Sequence, residues 1–397
     1  MKFLEHIDVN PKITLQKGKV YPFIEMANVG INSREPVVIE KKAFNSGVKF
    51  QDGDSVFARI EPCLQNGKSF YCKDIGVGFG STEFLVFRPK DDVIDSKFLY
   101  YFLKTDFIRK SMIGSMTGST GRQRVNNDIF KSLEIAIPDI GTQRRIADML
   151  FSYDDLIENN QKQIKLLEEA AQRLYKEWFV DLHFPGYDNF AIVNCFPNGW
   201  RKLSLFNIFT YIRGKSYTSA ELSETEGKLL VNLKNIQAWG GYNREAKKRY
   251  IGPYNESQKL HFGDIIMAVT DMTQERRLVG HVALAPQFNE DAIISMDLIK
   301  IIPSADIPSF FLYSLLRFSG IAEKISVYAN GTNVLHLKPE SFLGLEVIIP
   351  TIGLMNKYNE IVKCYYQKIE ALASAIVLLK QARDRLLPKL MNGELEV

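Results

Sequence analysis

The chain contains 397 residues, of which 46% are hydrophobic and 24% are charged, with a formal net charge of +4. This length allows about two or three domains with hydrophobic cores, and the small positive charge permits a polyanionic partner without demanding one. The four cysteines are scattered, which excludes a disulfide framework. The charged N-terminus and the lack of an apolar run of about 18 residues argue against a signal peptide and a membrane span, so we expect a cytoplasmic protein.

Residues 1–141 are predicted to form a compact, mostly β domain with some helix. The predicted strands are short and lie at 21–26, 55–60, 84–87 and 133–138. A helix is predicted at 95–110, where Phe98, Tyr101 and Ile108 share a face. The segment 114–121 is rich in Gly, Ser and Thr and is predicted to be a loop.

A long helix is predicted from residue 142 to residue 180, followed by a linker at 181–199. Apolar residues recur at alternating steps of three and four, the heptad pattern of a helix that packs along its length on another helix. A helix of this length would extend about 58 Å at about 1.5 Å per residue, so it needs a partner. Asn160 either sets the register or is a solvated position. The predicted interface residues are Ile146, Leu150, Ile157, Asn160, Ile164, Leu167 and Leu174.

A second globular domain is predicted at residues 200–353. Its strands are predicted at 229–233, 264–269, 297–302 and 344–349, and its helix at 309–327. A second long helix is predicted within 354–397, with a kink or stop at Pro388 because proline cannot donate the helical hydrogen bond. Its predicted interface residues are Ile369, Leu372, Ile376, Leu379 and Leu386.

The two halves of the chain form an internal repeat with an offset of 212 residues. The helix interface residues match in register at this offset, and Tyr101 in the first domain matches Tyr313 in the second. The partner of the first long helix is therefore in the same chain. This pattern predicts an α+β architecture of two similar β-rich globular domains, each followed by a long helix.

Both predicted domains carry a Gly-Asp pair immediately before a strand. The pairs are Gly53-Asp54 and Gly263-Asp264. Glycine at such a position favours a tight turn, so we interpret both pairs as structural.

No catalytic or metal-binding motif is complete. Gly67-Lys68-Ser69 and Gly214-Lys215-Ser216 resemble the end of a P-loop, but the required upstream glycine is absent. The segment 76–80 lacks the glycine spacing of a dinucleotide-binding loop. The five histidines and four cysteines show no metal-ligand spacing. We therefore expect no active site, no metal and no cofactor in this chain.

Basic clusters in predicted loops suggest a nucleic-acid partner. Loop amides and hydroxyls suit phosphate oxygens, and arginine forks suit guanine edges. A solvated loop is the alternative for each cluster alone, but two similar loop-bearing domains suit a DNA site with two separated halves. The candidate DNA-binding residues are Arg59, Lys68, Ser119, Thr120, Arg122, Arg124, Lys215, Arg244, Lys247, Lys248, Arg249, Arg276, Arg277 and Thr332.

Taken together, these features resemble the specificity subunit (HsdS) of Type I restriction-modification systems. The resemblance covers nearly the whole chain and rests on the repeat of domain plus long helix. It also rests on short motifs, namely Ile137-Pro138, Ile349-Pro350, Gly118-Ser119-Thr120, Gly331-Thr332, Pro197-Asn198-Gly199-Trp200 and the run at 386–394. The chain departs from the pattern at two places. The first domain lacks a Pro-x-Gly-Trp opening, and the second helix lacks the glutamine that Gln143 supplies in the first.

The resemblance implies a non-catalytic DNA-specificity subunit. Each globular domain would be a target recognition domain that reads one half of a bipartite double-stranded DNA sequence. The two helices would form an antiparallel coiled coil that sets the spacer and docks two methyltransferase subunits. Two restriction, or translocase, subunits would complete the enzyme, with S-adenosylmethionine, ATP and Mg²⁺ on the partner subunits.

Two other classes of function stay open from the residues alone. An enzyme with a hidden active site would bind S-adenosylmethionine as an isolated chain. A coiled-coil scaffold that does not recognise DNA would leave no sequence-selective footprint with all partners present.

Overall fold

The computed structural model describes residues 1–189, 191–193 and 196–397 and confirms the α+β class. The chain forms two compact units, one of residues 1–161 with 374–397 and the other of residues 162–373. Each long helix therefore contributes a segment to each unit. The five segments predicted from the sequence, with boundaries at 141, 180, 199 and 353, stay a prediction.

Two of the helices are far longer than the rest. A π-helical segment, Lys176–Val180, directly follows the first of them. The helices are α1 Phe3–His6, α2 Ser96–Leu103, α3 Asp106–Gly114, α4 Ile129–Ser132, α5 Ile140–Tyr175, α6 Leu205–Ile208, α7 Ser309–Phe318, α8 Ile321–Ser326 and α9 Ile352–Met391. Short 3-10 turns lie at Met26–Asn28, Tyr187–Asn189, Ser219–Glu221, Leu233–Asn235, Glu256–Gln258 and Pro339–Ser341. No helix in the described part of the chain is both long and apolar enough to cross a membrane.

The strands are short throughout. They are β1 Ile7–Val9, β2 Val20–Ile24, β3 Glu40–Ala43, β4 Val48–Gln51, β5 Ser55–Ala58, β6 Ser69–Tyr71, β7 Val77–Gly80, β8 Phe84–Pro89, β9 Ile192–Val193, β10 Phe196–Pro197, β11 Arg201–Ser204, β12 Phe209–Arg213, β13 Leu222–Ser223, β14 Lys228–Val231, β15 Arg249–Tyr250, β16 Ile265–Ala268, β17 Thr270–Asp271, β18 Val282–Leu284, β19 Ala292–Ile294, β20 Leu298–Pro303, β21 Leu335–His336 and β22 Glu346–Ile349.

The sheet topology occurs twice. The first unit has an antiparallel sheet in the order β1-β8-β5-β6, and the second has an antiparallel sheet in the order β12-β20-β16-β18. Each unit also has a mixed four-stranded sheet, β3-β2-β7-β4 and β13-β15-β14-β19. Each mixed sheet has one parallel pair, which is the central pair β2 with β7 in the first unit and the edge pair β14 with β19 in the second. The repeat seen in the sequence is thus matched by a repeated strand order in the antiparallel sheets.

The two Gly-Asp pairs form structural turns. Gly53 has φ +88° and Gly263 has φ +85°, a left-handed conformation that favours glycine. The carboxylates of Asp54 and Asp264 each accept a hydrogen bond from the amide three residues earlier, at 2.8 Å and 2.7 Å. A side-chain acceptor placed in this way closes the turn before β5 and β16.

Both helices predicted in the globular domains are broken in two. The prediction at 95–110 becomes α2 and α3, because the backbone at Thr105 is extended and its hydroxyl donates to the Phe102 carbonyl at 2.7 Å. The prediction at 309–327 becomes α7 and α8, because Gly320 adopts a left-handed conformation with φ +78°. A left-handed residue ends a helix. The apolar pattern that predicted one helix is therefore shared by two consecutive helices.

The strand predicted at 133–138 is wrong. Only Glu134 forms a bridge, with Lys2. The backbone there bonds to residues 1–3, where Phe3 donates to the Leu133 carbonyl and Ile135 donates to the Met1 carbonyl, both at 2.9 Å. Helix α1 begins at Phe3, so this partner segment is too short for a ladder. In the second unit the corresponding β22 pairs with four residues of β11.

Of the kink or stop predicted at Pro388, the stop is wrong, because α9 continues to Met391, and the kink stays a prediction. A proline inside a helix costs about 3 kcal/mol, since it removes a hydrogen bond and clashes with the preceding turn. Tertiary packing opposes this cost. Leu390 is buried in the core of the first unit, and Leu386, Leu387 and Met391 pack against the same core.

In the first unit, residues 140–161 of α5 pack antiparallel to residues 374–391 of α9. Arg145 near the start of α5 donates to the carbonyl of Val397 at 2.7 Å, whereas Asp154, further along α5, bonds to Arg383. Ile146 and Leu150 join Leu390 in one core.

In the second unit, residues 162–175 of α5 pack with residues 352–373 of α9 through aromatic side chains. The Tyr358 hydroxyl donates to the carbonyl of Ala171 at 3.2 Å. The ring of Tyr358 also lies edge-on to Tyr175 and Trp178, with centroids 6.1 Å and 6.0 Å away. Such edge-to-face contacts add to the stabilisation that burial alone provides.

The predicted interface residues are all at least partly buried. The buried ones are Ile146, Leu150, Ile157, Ile369 and Leu372. The half-buried ones are Asn160, Ile164, Leu167, Leu174, Ile376, Leu379 and Leu386. Their individual pairing across the two helices stays a prediction.

A buried polar cluster joins the helix pair of the first unit to its globular domain. The guanidinium of Arg383 donates to the carboxylate of Asp154, which also accepts from the hydroxyl of Tyr101. Asp154 is only 2% exposed. Burial and the neighbouring carboxylate both raise the pKa of Tyr101, so its hydroxyl stays a donor.

We predict that Arg383→Met destabilises the first unit. Removal of the guanidinium leaves the Asp154 carboxylate buried without its cation, which costs about 3–5 kcal/mol. The free energy of unfolding should fall by that amount in denaturant titrations. Lys110→Met, which removes an exposed partner of Asp106, is the control and should leave the denaturant midpoint unchanged. Equal midpoints for both variants would contradict the assignment.

Candidate nucleic-acid interface

Two loops of the first unit lie side by side at one end of its antiparallel sheet. We call them the first loop pair, residues 59–68 and 114–125. Arg124 bridges both Ile60 and Thr117 through its backbone. The Glu61 amide donates to the Gln123 carbonyl at 2.9 Å, and the Glu61 carboxylate accepts from an amide of the other loop at 3.1 Å. The two loops therefore form one surface.

The second unit has the same arrangement. Its second loop pair comprises residues 270–281 and 329–337. Strand β17 pairs with β21, and Asn330 bridges His336, which matches Arg124 at the repeat offset. The amide of Gln274 donates to the carbonyl of Thr332 at 2.5 Å. Two predicted residues, Arg276 and Thr332, are thus brought to one surface.

In the first loop pair, only part of the predicted set is exposed and unpaired. Ser119, Thr120 and Arg122 are exposed, and their side chains have no hydrogen-bond or ion-pair partner among the described residues. Arg124 instead forks onto Glu83, with its Nε 2.9 Å and 3.0 Å from the two carboxylate oxygens. This fork holds the pKa of Glu83 below its usual value.

The two other predicted cations of the first unit bind its own backbone. Arg59 donates through Nη2 to the Val125 carbonyl at 3.3 Å, and Lys68 donates through Nζ to the Met26 carbonyl at 2.8 Å. The Nε of Arg59 is buried and has no hydrogen-bond partner within the described residues. Lys68 therefore serves the loop packing, which agrees with treating its P-loop resemblance as a chance match.

Most predicted cations of the second unit are paired within the unit. Arg244 forks onto Glu370 of α9, and Arg249 forks onto Glu290 with distances of 2.7 Å and 3.0 Å. Lys248 donates to the Tyr217 hydroxyl at 2.8 Å. The two other predicted cations, Arg277 and Lys215, make different kinds of contact. Arg277 pairs with Glu275, and the backbone of Lys215 bridges Ser295.

Lys215, Lys247 and Arg276 are the exceptions. None of their side chains has a hydrogen-bond or ion-pair partner in the part of the chain that the structure describes, and Lys247 is exposed. Arg276 adopts φ +55°, a conformation that is uncommon outside glycine. A free guanidinium on a tightly turned loop can bind an anion from solution.

The loop that carries Arg276 is built around one buried carboxylate, which the sequence analysis did not identify. Asp271 is fully buried, and it accepts hydrogen bonds from the amides of Leu278 at 2.7 Å, Thr273 at 2.8 Å and Val279 at 3.2 Å. Burial opposes ionisation of this carboxyl, but these hydrogen bonds outweigh it and lower its pKa. An acidic residue two positions after a predicted strand was the available signal.

Metal ions in proteins need a set of several ligand side chains. Among the described residues, no three His, Cys, Asp or Glu side chains come together as a bound metal ion would need. The surfaces of the two loop pairs offer hydroxyls, amides and guanidiniums instead. Such groups suit phosphate and base edges.

Comparison with known proteins identifies the family of the chain. Residues 9–169 match the family model described as Type I restriction modification DNA specificity domain. The Type I restriction enzyme MjaIX specificity subunit of Methanocaldococcus jannaschii is 30% identical over 324 residues, which cover 78% of this chain and 71% of that protein. The HindI specificity subunit of Haemophilus influenzae is 24% identical over 403 residues, which cover 86% of each chain.

A solved structure supports the fold independently. The crystal structure of the Type-I restriction-modification system S subunit from M. genitalium superposes with a TM-score of 0.60. The superposition covers 98% of this chain and 95% of that chain, at 17% sequence identity. At this identity, the likeness concerns the fold alone.

We predict that Asp271→Ala loosens the loop between β17 and β18. Each hydrogen bond to a charged group contributes about 1.5–3 kcal/mol, so amide exchange at Leu278 and Val279 should accelerate at least about tenfold. Hydrogen–deuterium exchange measures this, with β16 as the internal reference and Asp306→Ala as the exposed control. The contribution is present above the usual carboxyl pKa of 3.8 and is lost as pH falls through the lowered folded value. Unchanged exchange at neutral pH would contradict the role of Asp271.

Proposed function

The chain belongs to the family of Type I restriction enzyme specificity subunits, and on this premise we propose that it is the DNA-recognition subunit of a Type I restriction-modification enzyme. The observation that carries the proposal is the duplicated loop pair. Each half of the chain presents two adjacent loops at the end of the same antiparallel sheet. Two similar surfaces in one chain suit a double-stranded DNA target with two separate half-sites.

Each loop pair would read one half-site. Phosphate contacts provide affinity that depends on salt, and contacts with base edges provide discrimination of about 1–3 kcal/mol per wrong base pair. The residues that we propose for direct contact are those whose side chains are free of internal partners. They are Ser119, Thr120, Arg122, Lys215, Lys247 and Arg276, together with the exposed Thr332.

The long helices would set the distance between the half-sites. We propose that they act as a spacer of fixed length and provide the docking surface for two methyltransferase subunits, with two restriction subunits in the complete enzyme. The chain itself would not be catalytic. A methyltransferase partner would flip the target adenine into its own pocket, using S-adenosylmethionine, and ATP and Mg²⁺ would serve the restriction subunits.

The proposal is tested by mapping methylated bases in a host genome with and without this chain, while its methyltransferase partner is kept intact. Long-read sequencing should show a bipartite adenine-methylated motif that disappears when the chain is removed. The same map would provide both half-sites and the spacer. Methylation that persists unchanged without the chain would contradict the proposal.

We predict that Arg276→Ala weakens DNA binding by at least about tenfold. If the guanidinium binds a phosphate, the slope of log affinity against log salt should also fall by about 1, equally for all sequences. Fluorescence anisotropy of the chain with its methyltransferase partner measures both quantities. Lys202→Ala is the control, because Lys202 lies on β11, outside the long helices, and pairs with Glu346. An Arg276 variant that binds like the control would remove Arg276 from the interface.

We predict that insertion of seven residues into both α5 and α9 lengthens the unspecified spacer and leaves both half-sites unchanged. Seven residues preserve the heptad phase, so the helices can still pair. Methylation mapping of the variant gives the new spacer directly. The control is insertion of three residues, which breaks the phase. A seven-residue variant with the original spacer would contradict the spacer role of the helices.

A further inference from the structure

In each half of the chain, one loop contacts both the long helix and the loop pair. The first connecting loop, residues 26–34, follows β2, and the second connecting loop, residues 233–244, follows β14. Each of these strands belongs to the parallel pair of its mixed sheet. Both connecting loops begin with a 3-10 turn and end at an arginine.

The arginine of the first connecting loop is anchored on α5. Arg34 donates through Nε to Glu158 at 2.9 Å and through Nη2 to Asp155 at 2.6 Å. Its guanidinium also lies 4.5 Å from the centre of the Phe151 ring. The side chain is 1% exposed. This arginine therefore contacts three residues on one face of α5.

The arginine of the second connecting loop is anchored on α9 in the same way. Both terminal nitrogens of Arg244 donate to the carboxylate of Glu370, and the Nη1 distance is 3.0 Å. Glu370 matches Glu158 at the repeat offset of 212 residues. An arginine thus binds the same helix position in both units, although Arg34 itself matches Ala246 and Arg244 is more open, with a side chain that is 38% exposed.

The other side of each connecting loop contacts the loop pair. In the first unit, Ile31 bridges Lys68 through its backbone, and the amide of Asn32 donates to the Gly67 carbonyl at 3.4 Å. The Nζ of Lys68 reaches back to the Met26 carbonyl at 2.8 Å. The loop that bears Lys68 is therefore joined to the connecting loop at both ends.

The second unit repeats this contact with different residues. The Trp239 amide donates to the Arg277 carbonyl at 2.8 Å, and the Gly241 amide donates to the Val282 carbonyl at 2.9 Å. The Trp239 ring lies edge-on to His281, with centroids 5.5 Å apart. The loop that carries Arg276 is thus attached to a segment whose far end is fixed on α9.

The second connecting loop is braced internally. The side-chain amide of Asn235 donates to the carbonyls of Asn243 at 3.1 Å and Ala246 at 2.8 Å. The side chain of Asn243 donates to the Lys234 carbonyl at 2.9 Å. These bonds cross the loop and hold its two ends together next to Arg244.

We propose that Arg34 and Arg244 are positioning residues that fix each loop pair on the long helix of its own unit. A two-point arginine–carboxylate contact fixes orientation as well as distance. Loss of the contact would leave the loop pair folded but free to tilt, so base discrimination would fall in one half-site. This inference rests on the proposed function, and it gives Arg244 a role on the helix in place of the DNA contact that the sequence suggested.

The second unit offers a clean test, because its ion pair has two members and is partly open to solvent. We would compare the wild-type chain with Arg244→Glu, Glu370→Arg and the double charge swap, each purified as the full chain with its methyltransferase partner. The duplexes would carry the mapped target or one changed base pair in either half-site. Lys202→Glu is the control, because it makes the same charge change at an exposed pair with Glu346.

Each single variant should lower discrimination in one half-site at least about fivefold, given that a wrong base pair costs about 1–3 kcal/mol. Discrimination in the other half-site should stay within about twofold. The charge swap should restore the wild-type ratio, which a direct DNA contact by Arg244 could not do.

Three results would overturn the inference. The first is unchanged discrimination in both single variants, and the second is no recovery in the charge swap. The third is an equal loss in both half-sites with a lower thermal midpoint, which would show general unfolding. If the wild-type complex itself does not discriminate between the duplexes, the proposed function fails first and this inference fails with it.

Discussion

The structure depends on covering the apolar side of two helices that are too long for a globular domain to enclose. Each unit covers one segment of α5 with one segment of α9, and then packs its own globular domain onto the pair. Hydrophobic burial of this kind contributes about 25 cal/mol per Å² and has no preferred direction. The charged contacts around this apolar surface determine how each globular domain is oriented on its helix pair. Arg34 and Arg244 each add a two-point contact to the same position of the repeat, and so tie a non-directional surface to one orientation.

The two helix pairs are related by repeat but differ in chemistry. In the first unit, Tyr101, Asp154 and Arg383 form a buried polar cluster. The matching positions in the second unit hold Tyr313, Tyr366 and Ala171, where the two tyrosine rings meet edge-on at 5.4 Å. A buried ion pair adds little net stability compared with apolar packing, but it strongly disfavours an apolar partner. The polar cluster therefore restricts which helix segments can pair, while the aromatic layer contributes cohesion.

Most of the fold was predicted from the periodicity of the apolar residues and from the internal repeat. The heptad pattern and the repeat identified both long helices and the duplicated domains, because these signals extend over many residues. Local breaks escaped this prediction, since Gly320 and Thr105 each interrupt a helix whose apolar face continues. The site was harder for a different reason. Arg244 was grouped with its basic neighbours in sequence, but its carboxylate partner, Glu370, is 126 residues away and only folding brings it close. The matched glutamates on the two helices were the one available clue.

The composition of the first unit from two distant parts of the chain has a consequence for synthesis on the ribosome. Residues 162–373 are contiguous and can fold as soon as they emerge, whereas residues 1–161 must wait for 374–397. At about 5–20 residues per second, that interval is about 10 to 40 s. During it, the apolar positions Ile146 and Leu150 lack the α9 segment that completes their core, and Asp154 lacks Arg383. The unit that begins first is therefore the one that finishes last, and until then the apolar side of its nascent helix is open to chaperones or to mispairing with a neighbouring copy.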